Sequence, residues 1–280
     1  MTAPQSPAAA NYLCSLFGLN GLTSVVIGGT GVLGGAIALA LGGAGSHVVV
    51  VGRTLKSDDS GATIVDRIQQ AGGSAEFIAA DSTQRADLEA IVSHLKSNNR
   101  HCNVLVNGAG TNSPTPFFDI KDDEWDRINN VNLGGVRIAC QVFGKDMVER
   151  STKGSIINIA SLSGIIPLSR VFTYSVTKAG VLNLTQNLAR EFAQYGIRVN
   201  ALSPGFFPAE QNRKVLTADR VANIRQHTPM RRATDTDPQS PFGSPEELAG
   251  AVLLMASPKA GSFLTGANIV VDGGFTAMTI

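Results

Sequence analysis

The chain has 280 residues, of which 43% are apolar and 16% charged. That is enough for a large core, and the length is long for one ordinary domain and short for two. A formal net charge of +1, with no basic stripe interleaved with aromatics, argues against a nucleic-acid partner. Cys14, Cys102 and Cys140 lie far apart, lack metal-ligand spacing and make an odd count. No metal site and no disulfide framework are therefore expected, only free thiols in a reducing compartment.

Residues 1–15 are rich in Ala, Pro and Ser, and Met1 to Asn11 carry no basic residue. The segment lacks the charged start and apolar run of a secretory signal and is expected to be a flexible tail. The longest apolar stretches contain glycines and are too short to span a bilayer, so a cytoplasmic chain without a membrane partner is expected. Residues 16–280 are expected to form one domain.

Along that domain, short β-branched runs predict strands at Ser24–Ile27, His47–Val51, Glu76–Ala79, Val104–Asn107, Ser155–Ile159, Arg198–Leu202 and Asn268–Val271. Several are apolar on both faces, as buried parallel strands are. Helical periodicity marks Leu33–Leu41, Thr63–Ala71, Arg85–Leu95, Asp123–Val148, Ser175–Tyr195 and Glu246–Met255. The alternation predicts a single-domain α/β fold: a Rossmann-type, doubly wound parallel sheet of about seven strands with helices on both faces. Residues 206–243 break the rhythm. They are polar and proline-containing, and are expected to form a substrate loop, with Thr234–Ser240 as an insertion over the site.

Ligands in such folds sit beyond the carboxyl ends of the strands. The first strand runs into Gly28, Gly29, Thr30, Gly31, Val32, Leu33, Gly34 and Gly35, a glycine-rich turn suited to a pyrophosphate at a helix N-terminus. The second strand ends at Gly52, Arg53 and Thr54. An acid there would bond the ribose 2′-hydroxyl of NAD, whereas an arginine accommodates a 2′-phosphate. Arg53 therefore favours NADP(H), with NAD(H) as the alternative through Asp58 or Asp59. Asp81 and Ser82 follow the third strand as candidate adenine partners. Asn107, Gly108, Ala109 and Gly110 follow the fourth and permit close approach of a flat ligand.

Ser161 follows the fifth strand. Tyr174 and Lys178 come next, four apart and so on one face of a helix. A phenol is a poor base near neutrality, and a neighbouring ammonium would stabilise its phenolate and lower its pKa. His47, His94, His101 and Trp125 have no partners at catalytic spacing and read as structural. Phe117 and Phe118 read equally as pocket or core.

The glycine-rich turn, Asn107 to Gly110, Asn132, Ser161, the Tyr174/Lys178 pair and Pro204-Gly205 occur in order at consistent strand ends. In this set the chain resembles the short-chain dehydrogenase/reductase family from about Leu16 to Gly274. The resemblance implies a catalytic set of Ser161, Tyr174, Lys178 and Asn132. Ser161 would hold the substrate oxygen, Tyr174 would move the proton, and Lys178 would bond the nicotinamide ribose and depress the tyrosine pKa. Asn132 would support the proton-relay water. Pro204, Gly205 and Phe207 would meet the nicotinamide carboxamide. The family's usual glycine is replaced by Val32, with Gly31 one position earlier, and Ala209 stands where a threonine is common.

Within the family the likeness points to the mannonate (fructuronate) oxidoreductases, through Gly28–Gly35, Asn107–Gly110, Pro204–Phe207, Glu210–Arg213 and Thr228–Met230. The implied reaction is hydride transfer between NADP(H) and a small-molecule carbonyl or secondary alcohol, in a homodimer or homotetramer. A basic run of Arg213, Lys214, Arg220, Arg225, His227, Arg231 and Arg232 suits a carboxylated substrate such as a sugar acid, or reads as a solvated face. Reduction of a 3-oxoacyl thioester or another ketone is the alternative. A non-catalytic nucleotide-binding protein is a third reading, which would not need the Ser161/Tyr174/Lys178/Asn132 set.

Overall fold

The computed structural model describes residues 6–207, 216–231 and 240–278. In chain order the elements are α1 (Pro7–Phe17), β1 (Thr23–Ile27), α2 (Val32–Gly43), β2 (His47–Gly52), α3 (Ile64–Gln70), β3 (Ser74–Ala79), α4 (Arg85–Ser97) and β4 (Val104–Asn107). They continue with α5 (Asp122–Asn129), α6 (Gly135–Glu149), β5 (Ser155–Ile159), α7 (Phe172–Phe192), β6 (Arg198–Pro204), α8 (Ala218–His227), α9 (Ala249–Ala256) and β7 (Asn268–Val271). The strands form one parallel sheet in the order β3-β2-β1-β4-β5-β6-β7, the doubly wound architecture expected.

Successive side chains of a strand point to opposite faces, and the core divides accordingly. Val25 and Ile27 of β1 join Leu105, Ile156, Phe143 and Val181 in the layer under α4, α6 and α7. Val26 joins Val48, Val50, Ile37, Leu41 and Val252 in the layer under α2, α3 and α9. Each buried aliphatic side chain contributes about 1.5–3 kcal/mol. The chain reverses its winding between β1 and β4, which pair in register with Ile27 opposite Asn107. The glycine-rich turn and the Asn107–Gly110 stretch therefore emerge side by side.

Three segments differ from the sequence reading. The expected tail contains α1, where Pro7 occupies the first turn and Ala8, Ala9 and Ala10 favour a helix. None of its residues is buried, and the Leu16 carbonyl accepts from the Ser257 hydroxyl at 2.6 Å. The helix expected over Asp123–Val148 is two helices joined by a π-helical turn, Asn130–Gly134, which widens the backbone around Asn132. The expected loop over 206–243 contains α8. Pro208, Ala209, Glu210–Arg213, Lys214, Arg232 and most of the 234–240 insertion lie outside the described residues. Of the residues read as structural, His47 and His94 both bond Glu76, at 3.1 and 2.8 Å. No helix among the described residues is long and apolar enough to cross a membrane.

Candidate active site

The turn after β1 is shaped by missing side chains. Gly28 has φ +80°, and a Cβ there would stand 2.7 Å from the Ala109 amide nitrogen. A Cβ on Gly34 would overlap the Gly28 carbonyl oxygen. α2 starts at Val32 with Gly31 as its cap, with no side-chain cap and no acid in its first turn. Its leading amides and dipole are thus open to an anion. Val32, in the family's glycine position, is 47% exposed, so its side chain reaches outward without closing the turn. Leu33 lies one residue further into the helix and packs against the layer under α2. The cradle fits a dinucleotide pyrophosphate.

At the end of β2, a Cβ on Gly52 would stand 2.6 Å from the Thr30 hydroxyl oxygen, so an acidic side chain there would first have to displace Thr30. Arg53 and Thr54 are exposed, and Arg53 joins no ion pair among the described residues. Asp58 Oδ1 accepts from the amides of Ser60 and Ala62 and the Ser60 hydroxyl, which commits it to its own loop. This end of the site fits a phosphorylated ribose better than a bare one. Hydrogen bonds from the Thr83 amide and hydroxyl, then the nearby Arg53 charge, hold Asp81 below the usual carboxylate range. Ser82 is buried against the start of α6, where a Cβ on Gly135 would lie 3.1 Å from its hydroxyl.

The Asn107 side chain turns away from this cleft. Its amide donates to Asn158 Oδ1 at 2.8 Å and to the Cys140 sulfur at 3.4 Å. Gly110 keeps the floor of the cleft open, since a Cβ there would lie 3.5 Å from Asn132 Oδ1 and 3.8 Å from Lys178 Nζ.

Ser161, Tyr174, Lys178 and Asn132 converge at the end of β5. Ser161 caps the short turn Leu162–Gly164, accepts from the Ser163 amide at 3.2 Å, and is hydrogen-bonded to Tyr174. Lys178 Nζ lies 5.4 Å from the Tyr174 ring centre and donates to the Ile159 carbonyl at 2.7 Å. Burial pushes the Lys178 ammonium down to about 8. Burial also raises the Tyr174 phenol above its ordinary value, against the lowering bond from Ser161. The sequence reading expected the lysine to depress this pKa. In the folded chain desolvation dominates, because it penalises the phenolate and the ammonium alike.

Asn132 is fully buried in the π-helical turn. It accepts from the Thr111 amide at 2.8 Å and donates to the Thr111 carbonyl at 2.9 Å and the Thr177 hydroxyl at 3.1 Å. Thr177 in turn donates to the Tyr174 carbonyl at 2.6 Å. Asn132 thus ties the loop after β4 to the helix that carries Tyr174.

Sequence reasoning missed Thr111, Thr177 and Gly164. A Cβ on Gly164 would stand 2.7 Å from the Lys178 carbonyl carbon, so the Ser161 turn packs directly on the α7 backbone. The signal was a glycine three residues after Ser161.

Pro204 ends β6, and the Gly205 amide donates to the Val271 carbonyl at 2.8 Å. Phe207 is buried, with its ring where a Cβ on Gly243 would stand. Phe206, Phe207, Met230, Phe242, Gly243 and Asp272 help line a cavity of about 140 Å³ here. Among the described residues, the basic run does not form one cluster. Arg225 and Arg231 line an open cavity of about 620 Å³ with Val221 and Ala222, whereas Arg220 lies on the other side of α8.

A model of the family described as enoyl-(acyl carrier protein) reductase matches residues 30–276. A galactitol 2-dehydrogenase of Rhizobium johnstonii is 38% identical, over 93% of this chain and 97% of its own. The chain belongs to the short-chain dehydrogenase/reductase family. A 3beta-hydroxysteroid dehydrogenase of Eggerthella lenta is 35% identical, over 92% of this chain and 95% of its own. The crystal structure of a Burkholderia cenocepacia gluconate 5-dehydrogenase, in complex with NADP and tartrate, superposes with a TM-score of 0.84 at 29% identity, covering 95% of this chain and 99% of that one. As a short-chain dehydrogenase/reductase the chain is an oxidoreductase acting on CH–OH groups.

Proposed function

We propose that the chain is an NADP(H)-dependent oxidoreductase that interconverts a carbonyl and a secondary alcohol on a sugar acid, with Tyr174 as general acid/base. The observation that carries it is the convergence of the Tyr174 phenol, the Ser161 hydroxyl and the Lys178 ammonium at the end of β5, beside the cradle opened by Gly28, Gly34 and Gly110.

When bound, the nicotinamide gives or takes the hydride. Ser161 hydrogen-bonds the substrate oxygen and steadies charge as it develops. Tyr174, kept protonated at neutral pH by burial, hands its proton to that oxygen during reduction and removes it during oxidation. Lys178 Nζ, anchored on the Ile159 carbonyl, supplies the positive charge under the ring that tempers the phenolate. Asn132 keeps the Thr111 loop and the Tyr174 turn in register. Arg53 takes the ribose 2′-phosphate, since Gly52 leaves no acid to repel it and Asp58 is used elsewhere.

A sugar-acid substrate is supported by the gluconate 5-dehydrogenase likeness, and the galactitol relative widens the class to polyols. Mannonate and fructuronate remain the specific pair to try first, with a 3-oxoacyl thioester as the control for the competing reading. Titration with NADPH and NADH, followed by nicotinamide fluorescence, tests the cofactor. Tighter NADPH is expected, and equal or tighter NADH would overturn the Arg53 assignment. Tyr174→Phe should bind NADPH as the parent does and lose at least about 1000-fold in kcat. Retained turnover would remove Tyr174 as the acid/base.

A further inference from the structure

α8 has two faces. At 100° per residue, Ala218, Val221, Ala222 and Arg225 point one way, into the open cavity described above, and Arg220, Ile224 and His227 point the other. Ile224 is 3% exposed, and the His227 ring lies 6.1 Å from that of Phe275, so the second face packs onto the body of the enzyme.

Arg220 therefore turns inward, yet its Nη1 is buried and has no hydrogen-bond partner among the described residues. A guanidinium N–H removed from water without an acceptor is unfavourable, and an anion bound beside it would supply that acceptor. The neighbouring charge that Arg220 feels is another cation, Arg170, which with burial holds its pKa below the ordinary arginine value. Arg170 sits in the turn that opens α7, four residues before Tyr174, with a left-handed φ of +61°. Among the described residues neither arginine joins an ion pair. Two cations on separate elements, one of them in the turn that leads into the Tyr174 helix, thus lie within electrostatic reach of each other, and among the described residues no ion pair neutralises either.

We propose that Arg170 and Arg220 form a carboxylate clamp that selects acidic over neutral substrates. It holds the acid end of a hydroxy or keto acid while the reacting carbon meets Tyr174 and Ser161. Guanidinium forks bind carboxylates bidentately, and a carboxylate neutralises the repulsion between the pair. The inference rests on Tyr174 marking the reacting carbon, and it names two specificity residues on separate elements, 50 positions apart in the chain.

The test uses the full chain with Arg170→Ala, Arg220→Met and the double variant, and needs no turnover to begin. Thermal melting with NADP(H) present is followed on adding gluconate, tartrate, inorganic phosphate or the neutral polyol sorbitol. The carboxylates should raise the melting temperature of the parent and not of the variants. Phosphate and sorbitol should act alike on all. Ligand-free Arg220→Met should melt no lower than the parent, because an unpaired cation is removed, and NADPH affinity should stay unchanged. Where a sugar acid is turned over, the variants should lose about 100-fold in kcat/KM for it, mainly through KM, and keep their rate on a neutral alcohol. A carboxylate response that survives in the double variant, or an equal loss on acid and neutral substrates, overturns the clamp. A parent that responds to carboxylates through these arginines but turns over a different carboxylated alcohol or ketone, and no sugar acid, would overturn the sugar-acid reaction and leave the clamp standing. Turnover of neutral alcohols alone would overturn both.

Discussion

Thr30 and Gly52 share one space: the Thr30 hydroxyl oxygen lies 2.6 Å, and its methyl carbon 3.0 Å, from where a Cβ on residue 52 would begin. Gly52 ends β2 and Thr30 lies in the turn just beyond β1, the neighbouring strand, whose register places Ile27 opposite Val51. Cofactor choice at this corner is therefore a property of the pair, since an acid reaching for a ribose hydroxyl would have to displace Thr30 first.

It follows that Gly52→Asp alone should weaken NADPH binding without creating an NADH enzyme. Adding Thr30→Ala should restore space and raise the NADH/NADPH affinity ratio above that of the single variant. Arg53→Ala should weaken NADPH about tenfold or more and leave NADH little changed, as loss of a charge-assisted bond to phosphate predicts. Fluorescence titration of each variant with both nucleotides checks this. A Gly52→Asp single variant that already prefers NADH would show that Thr30 yields freely.

Lys178 carries a pH signature. Its ammonium titrates at about 8 in the folded chain against an ordinary value of 10.5. Between these limits the unfolded chain holds the extra proton, so the lysine's unfavourable contribution is full below pH 8 and fades as the pH approaches 10.5. Lys178→Met should thus be inactive. Its stability relative to the parent should be greatest near pH 7 and decline by on the order of 3 kcal/mol toward pH 10.5. Paired denaturation curves at several pH values measure it, and a difference that is flat with pH would mean that the ammonium is not desolvated.

Asn132→Ala should cost roughly 2 kcal/mol or more, because the Thr111 amide and carbonyl and the Thr177 hydroxyl lose a buried partner together. Activity should fall further than stability explains, since the Thr111 loop and the Tyr174 turn are no longer tied. Asn132→Asp keeps the acceptor for the Thr111 amide but sets a second carboxylate oxygen against the Thr111 carbonyl in a buried site, and should not recover the stability lost in Asn132→Ala. Denaturant midpoints and kcat, measured under conditions where both variants are fully folded, separate the two effects. An Asn132→Ala protein with parental kcat would confine the residue to a packing role.

Gly164→Ala places a methyl 2.7 Å from the Lys178 carbonyl carbon and 2.8 Å from the Ala179 amide nitrogen. The backbone cannot rotate away as a side chain can, so the Ser161 turn must lift from α7. A loss of about 1–3 kcal/mol is expected, with kcat lowered more than NADPH affinity. Melting curves together with nucleotide titration check it, and an unchanged kcat would show that Ser161 and Tyr174 keep their contact despite the shift.

Local periodicity determined much of this protein. Alternating β-branched runs and amphipathic segments are readable because burial repeats every two or 3.6 residues, and β4, β5 and β7 have the bounds that the sequence predicts. Tyr174 and Lys178 were equally visible, since a helix alone brings positions four apart onto one face. Glycines at strand ends marked the cradle for the same local reason.

Tertiary structure alone decided the rest. The register of β1 on β2 brings Thr30 against Gly52, and the π-helical turn aims Asn132 at Thr111, 21 residues away. The packing of α8 by Ile224 divides one basic run into an inward Arg220 and an outward Arg225. The direction of the Tyr174 shift belongs here too: a neighbouring lysine is written in the sequence, but the depth at which both groups are buried is set by residues distant in the chain.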